Sequence, residues 1–260
     1  MIDRRAFRAL MLAAGMFAAH SSWSGAARAQ QDPQPTDTQE WSYRLAPYIW
    51  LPALSGTLRV DTGDPPADVD TSFLDVLDFA FLIIGEARKD KWGLLGEFNY
   101  LDLSHSAETD GLIYLGAKAR LTGVMGALTG SYRVLEGRDT SLDILAGARG
   151  WRLDLKIDYR AGSLPAKTAR GSRSWVDPVV GLRGRIGLTE RLFLTGLLDA
   201  GGFGVGSDFQ WEANAALGYR FNQTISVSFG YRHLDLDFKD GGFVVDASLS
   251  GSYVMVGFEF

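Results

Sequence analysis

Apolar and polar residues alternate along most of this chain with a period of two. In QWEANAALGYRFN, Trp211, Ala213, Ala215, Leu217, Tyr219 and Phe221 share one face, and Glu212, Asn214, Ala216, Gly218 and Arg220 share the other. SWVDPVVGLRGRIGL sets Val176, Val180, Leu182, Ile186 and Leu188 against Asp177, Arg183 and Arg185. In TISVSFGYR, Ile225, Val227, Phe229 and Tyr231 oppose Ser226, Ser228, Gly230 and Arg232. WGLLGEFNY and FAFLIIGEAR repeat the scheme, with Trp92, Leu94, Phe98 and Tyr100 against Glu97 and Asn99, and Phe79, Phe81 and Ile83 against Glu86 and Arg88. Successive side chains of a strand point to opposite sides of its sheet, so each segment predicts a β-strand with one apolar face. GSYVMVGFEF carries Val254, Val256, Phe258 and Phe260 on one face up to the last residue. Something apolar must cover that face.

Two all-β architectures fit such strands, a soluble sandwich and a membrane barrel. A sandwich turns its polar faces to solvent, where lysine and glutamate crowd. Here the polar faces mix glycine and alanine with single charges of both signs, which suits a crowded interior where each charge needs a partner. Trp41, Tyr43, Trp92, Tyr219, Phe221, Phe258 and Phe260 lie near strand ends beside short turns such as RKDK and RFNQT. Aromatic rings collect at a membrane–water interface. Short connections near 89–91, 136–139, 189–191 and 222–223 alternate with longer polar segments at 52–77, 104–111, 160–174, 204–209 and 238–243.

The pattern therefore predicts a closed antiparallel transmembrane β-barrel over residues 41–260, with about ten strands and 8–12 left open. Both termini fall on the short-turn side, and lipid covers the apolar face of the last strand. Between residues 112 and 134 the alternation slips phase near 122–124, which predicts a bulge there or a different strand count.

Composition narrows the chemistry. The chain has no cysteine, so disulfides, thiolate metal sites and thiol nucleophiles are excluded. Its 31 glycines against 8 prolines in 260 residues argue against a helix-rich enzyme. At the amino terminus, Arg4, Arg5 and Arg8 precede an apolar core at 9–19 and then Ala27-Arg28-Ala29. This predicts an export signal cut after Ala29, with an apolar core too short to span a bilayer as a helix. A polar lead-in at 30–40 follows. Without residues 1–29 the chain keeps 22 basic and 30 acidic residues, a formal charge of −8. Nucleic-acid binding needs a basic stripe and is not expected.

A terminal phenylalanine preceded by alternating apolar residues resembles the carboxy-terminal assembly signal of Gram-negative outer-membrane β-barrel proteins. WSYRLAPYIW, GYRHLDLDF and the final VGFEF also resemble strands of small porin-like members of that superfamily. The resemblance covers roughly residues 41–260. It implies an outer-membrane location, contact with outer-membrane lipid and lipopolysaccharide, and insertion by the barrel-assembly machinery. It assigns Val254, Val256, Phe258 and Phe260 to the assembly signal. It implies no activity, because such barrels host porins, adhesins and enzymes alike.

The candidate site is the barrel interior. The polar faces would line it with Arg44, Glu86, Arg88, Glu97, Asp143, Arg149, Asp177, Arg183, Arg185, Asp199, Glu212, Arg220 and Arg232. These residues would form either a charged constriction that passes small solutes by sign or a set of paired plugs. His233 and Asp235 share one strand face, and His105 lies between Ser104 and Ser106. A lipid- or peptide-modifying enzyme at the outer rim is the first alternative on that ground. An adhesin using the segments 52–77 and 160–174 is the second.

The acidic stretch with Asp61, Asp64, Asp68, Asp70, Asp75 and Asp78 lacks the calcium-loop spacing and reads as a solvated outer loop. SFLDVLDF, with Ser72 as cap and Asp75 in the first turn, predicts a short helix folded into the mouth. GGFGVG at 201–206 has no following helix or lysine and reads as a hairpin apex or a place where strands crowd. Pro178 inside a strand predicts a bulge or an edge-like position. No cofactor and no metal is expected.

Overall fold

The computed structural model describes residues 40–59, 67–72, 77–108 and 114–260. The export signal at 1–29 and all but the end of the lead-in fall outside them. Eleven strands follow in sequence: β1 (Ser42–Arg59), β2 (Ala67–Ser72), β3 (Leu77–Lys89), β4 (Trp92–Glu108), β5 (Tyr114–Glu136), β6 (Thr140–Ala161), β7 (Lys167–Gly187), β8 (Leu192–Gly201), β9 (Phe209–Arg220), β10 (Ile225–Asp240) and β11 (Phe243–Glu259). Each of β3 to β10 pairs antiparallel with its successor, and β11 pairs with β1 from Arg44↔Glu259 to Arg59↔Val244. The sheet thus closes. β3 meets the first part of β1, from Ser42↔Arg88 to Pro47↔Ile83, and β2 meets its later part, from Ala53↔Ser72 to Leu58↔Ala67. β2 and β3 therefore share one place in the wall of a ten-stranded barrel.

The last strand is held to its final residue. Tyr43 N–H donates to the Phe260 carbonyl at 2.8 Å, and Phe260 N–H donates back to Tyr43 at 3.0 Å. The rings of Trp41, Tyr43 and Phe260 stack in sequence on the outer face, and Trp92 packs edge-on against Tyr132 at 4.7 Å. These rings lie at the short-turn end, at the ends of β1 and β11 and on β4 and β5.

Along single strands the sense of the alternation reverses. Near the turn end β10 turns Phe229 and Tyr231 outward and Arg232 inward; further on it turns Asp235, Asp237 and Lys239 outward and Leu234, Leu236 and Phe238 inward. β6 does the same, with Ile144 outside and Asp143 inside, then Arg152, Asp154 and Lys156 outside and Leu153, Leu155 and Ile157 inside. An apolar outer face fits lipid and a charged outer face fits water, so the reversal marks the edge of the apolar band. Beyond it the barrel wall continues as a water-facing extension with an apolar inside.

That extension corrects the expected long polar loops. Most of 52–59, 104–108, 160–174 and 238–243 is strand, and β10 and β11 are joined by Gly241 and Gly242 alone. Both glycines have positive φ, 54° and 87°, as a tight two-residue hairpin requires. Leu54, Leu58, Phe238 and Phe243 in these segments face inward and belong to the second apolar set.

Other expectations shift too. β5 keeps its register through 122–124, and its irregularities fall between Tyr114 and Ala117 on the pairing with β6, and between Arg133 and Leu135. Ser72 ends strand β2 and Asp78 lies in β3, so the short helix is not seen at its described ends. Asp68 and Asp70 lie in β2, whereas Asp61, Asp64 and Asp75 fall outside the described residues. Pro178 keeps its pairing with Ala148 on β6 without a bulge. On its other side the ladder with β8 stops at Val179↔Gly201, so the missing N–H falls where the pairing ends.

Candidate functional site

Side chains from facing walls meet inside the barrel at three levels. At the turn end, Arg183 of β7 reaches Glu86 of β3 with two bonds, Nη1 to Oε2 at 2.9 Å and Nη2 to Oε1 at 2.7 Å. Arg88 donates to Asp143 at 2.6 Å and to Glu86 at 3.1 Å. Asp143, 2% exposed, also accepts from Arg183 at 2.8 Å and from Arg133 at 3.0 Å. Three guanidinium groups thus surround two carboxylates. Beyond this layer Leu95, Leu145, Val179 and Ile84 border a void of about 60 Å³.

The second level crosses the barrel. Glu97 on β4 accepts from the Tyr48 hydroxyl of β1 at 2.6 Å, from Asn99 at 3.0 Å and from Arg232 of β10 at 2.7 Å. Arg232 also donates to the Tyr48 oxygen at 2.6 Å and to Glu212 of β9 at 2.8 Å. Glu212 accepts a further bond from Arg149 of β6 at 3.2 Å, and Arg149 grips Asp199 of β8 through both terminal nitrogens at 2.8 and 3.2 Å. Arg149 and Arg232 are each 3% exposed. Charges so buried are tolerable only when paired, and here each has at least two partners.

Gln210 links this chain to Asp177. Its oxygen accepts from Arg149 at 3.3 Å and Trp151 at 3.2 Å, and its nitrogen donates to Asp177 at 2.8 Å. Asp177, fully buried, also accepts from the Trp175 ring N–H at 3.0 Å, the Ser207 hydroxyl at 2.6 Å and the Ser207 N–H at 2.7 Å. The Ser207 contacts hold the β8–β9 connection, the GGFGVG segment, against β7. This connection turns sharply, with positive φ at Gly202, Phe203 and Gly204.

The third level is apolar. Leu54, Leu58, Leu153, Leu155, Ile157, Trp175, Leu236, Phe238, Phe243 and Val245 form one buried cluster inside the extension. Its lining comes from β6 and β7 on one wall and β10, β11 and β1 on the other.

Arg44, Arg185 and Arg220 join neither ion-pair network. Arg185 lies over the Phe193 ring at 3.8 Å, and Phe193 in turn occupies the space over Gly218 that any larger residue would fill. Tyr48, Gln210, Ser207, Trp151 and Arg133 complete the networks and were not singled out from the sequence, whereas Asn99 was placed on the polar face with Glu97. Tyr48, Asn99 and Gln210 share inward faces with the charged residues, which is the signal that finds them.

His233 and Asp235 lie on the outer face, near the reversal. His233 Nδ1 is 2.5 Å from Ser250 Oγ, and its ring packs on Trp211 at 4.5 Å. Asp235 accepts from Ser248 at 2.5 Å rather than from His233. His105 lies on β4, away in sequence from this pair.

No protein-family model and no curated protein matches the chain. Among solved structures it is similar to the translocator domain of the autotransporter NalP from Neisseria meningitidis, at 12% identity and a TM-score of 0.51, covering 99% of this chain and 95% of that one. The transport unit of the autotransporter AIDA-I from Escherichia coli is 9% identical with a TM-score of 0.41, covering 97% of both chains. Ail, the attachment invasion locus protein of Yersinia pestis, is 11% identical with a TM-score of 0.38, covering 86% of this chain and 100% of that one. The first of these likenesses supports the fold that the closed strand pairing gives, a ten-stranded antiparallel β-barrel.

Proposed function

We propose that the protein is a structural surface barrel of the Gram-negative outer membrane whose interior is a plug of its own side chains. The single observation behind this reading is the chain from Tyr48 through Glu97, Arg232, Glu212 and Arg149 to Asp199, which ties opposite walls together across the middle of the barrel. A conduit selecting by charge would leave such groups free to exchange partners with a passing ion. In this reading residues 1–29 are removed on export, and the short turns face the periplasm. The barrel-assembly machinery reads Val254, Val256, Phe258 and Phe260. Lipid and lipopolysaccharide surround the outer face, and no catalysis is assigned.

Single-channel recording in a planar bilayer tests it, with folding checked by heat-dependent gel migration. The wild type should be silent, and a Glu212→Ala, Arg149→Ala variant should show brief steps. Steady ion-selective steps from the wild type would make the interior a channel and sink the plug.

A second reading rests on the His233–Ser250 contact. A hydroxyl beside an imidazole at the lipid boundary is the beginning of a nucleophilic site, but a serine mechanism also needs an orienting acid in the same hydrogen-bonded set. Asp235 is engaged elsewhere.

A further inference from the structure

The turn end of the barrel opens into a cavity of about 570 Å³. The side chains of five arginines (Arg44, Arg88, Arg133, Arg183 and Arg185) and three acids (Glu86, Asp143 and Glu259) line it, an excess of two positive side-chain charges. The chain as a whole carries −5, so this cavity runs against the protein's own charge. A second recess of about 320 Å³ shares Arg133, Ser141 and Arg185 with it and adds Arg138, Arg191 and Arg220 together with Glu136, Asp139 and Glu190.

The excess is localised. Arg88, Arg133 and Arg183 are committed to Glu86 and Asp143. Arg44, Arg185 and Arg220 form no ion pair among the described residues, and Arg44 and Arg185 line the cavity beside Arg88, Arg133 and Arg183. Like charges held together in a partly enclosed space repel, and an anion between them removes the repulsion.

Two orphaned groups stand beside them. Arg44 Nε and the Ser226 hydroxyl are both buried without a partner, and Ser226 is 3% exposed. Both border the bare Cα of Gly257, where an added Cβ would meet Ser226 Oγ at 2.8 Å and Arg44 Nε and Nη2 at 3.1 Å. A buried donor without an acceptor is costly, and a bound oxyanion supplies one.

We propose that this cavity is a binding site for a small multivalent oxyanion of the phosphate-ester class, held by Arg44 and Arg185, with Arg220 bordering the adjoining recess. Guanidinium forks match phosphate oxygens in pairs, and Arg185 stacked on Phe193 is already oriented toward the space. The middle network and the apolar cluster lie beyond the cavity, so the anion enters and leaves by the turn end. Only the compartment that supplies it, the periplasm, rests on the orientation proposed above.

Calorimetric titration of the refolded full chain in zwitterionic detergent, with inorganic pyrophosphate at low salt, tests this independently of conductance. Saturable binding should weaken about tenfold in Arg185→Gln and in Arg44→Gln, the loss of roughly one charge-assisted hydrogen bond. Arg152→Gln, on the outer extension, should bind as the wild type does. Arg185→Lys keeps the charge without the fork and should fall between, which preserves the test if a neutral variant fails to fold. Absence of binding by folded wild type at millimolar pyrophosphate, or equal binding by all variants, would overturn the proposal.

Discussion

Trp175 on β7 and Phe238 on β10 stack ring on ring, with centroids 3.7 Å apart and planes 14° from parallel. The two strands belong to facing walls, so this contact closes the inside of the extension. Trp151 and Phe243 flank the pair, each with its ring centred about 6.2 Å from one partner. Truncating Phe238 to Ala removes the stack and leaves a cavity between walls that other strands hold apart. We expect a loss of about 3–5 kcal/mol in folding stability, the range for a buried phenylalanine. Urea unfolding in detergent, followed by tryptophan fluorescence, measures it. A loss below about 1 kcal/mol would mean that the walls collapse together and the cluster is not closely packed.

Asp177 carries the β8–β9 connection. Four donors converge on one carboxylate that has no cation in direct contact. In Asp177→Asn an amide nitrogen replaces one oxygen and faces donors instead of accepting from them. The cost is on the order of 1–3 kcal/mol for the groups left unpaired, and it falls on the connection rather than on the barrel. Chymotrypsin should therefore cut after Phe203, already half exposed, several times faster in the variant, while heat-dependent migration stays unchanged. Equal cleavage would show that the glycine turns alone hold the connection.

What the sequence revealed and what it hid have separate physical causes. Alternation in QWEANAALGYRFN or TISVSFGYR needs only the strand period, so the strands within the apolar band were legible from their own residues. The extension was not. Leu153, Leu155 and Ile157 alternate as strictly as Ile225, Val227 and Phe229, but they point inward, and no single strand tells which side is lipid. Lys167, Arg170 and Arg173 made 160–174 look like a polar loop, although most of it is strand. The charged interior residues were legible as a face; their pairing was not. Arg183 and Glu86 are 97 residues apart, and only closure brings them together.

The His233–Ser250 contact gives a third expectation. With Asp235 bonded to Ser248, the imidazole lacks a carboxylate to hold its tautomer, and the pair acts as a cross-strand contact on the outer face. Refolded protein in phospholipid vesicles should release no fatty acid, with or without calcium. Ser250→Ala should cost less than about 1 kcal/mol in unfolding, the range for one cross-strand pair. Fatty-acid release abolished by His233→Ala would reverse this and make the outer rim an active site.

The reversal of alternation on β10 can be tested by placing one charge on either side of it. Phe229, 62% exposed, lies in the apolar band, and Asp237 lies eight residues further along on the same outer face. If lipid contacts the first and water the second, Phe229→Lys should cost about 2–4 kcal/mol when the barrel unfolds from a bilayer. Asp237→Lys should change stability by well under 1 kcal/mol, because a water-facing charge loses little solvation and the ion pair between Asp237 and Lys239 is exposed. In detergent micelles, where the boundary is softer, the gap between the two variants should shrink. Equal costs in the bilayer would mean that lipid reaches Asp237, and the extension would then lie inside the membrane.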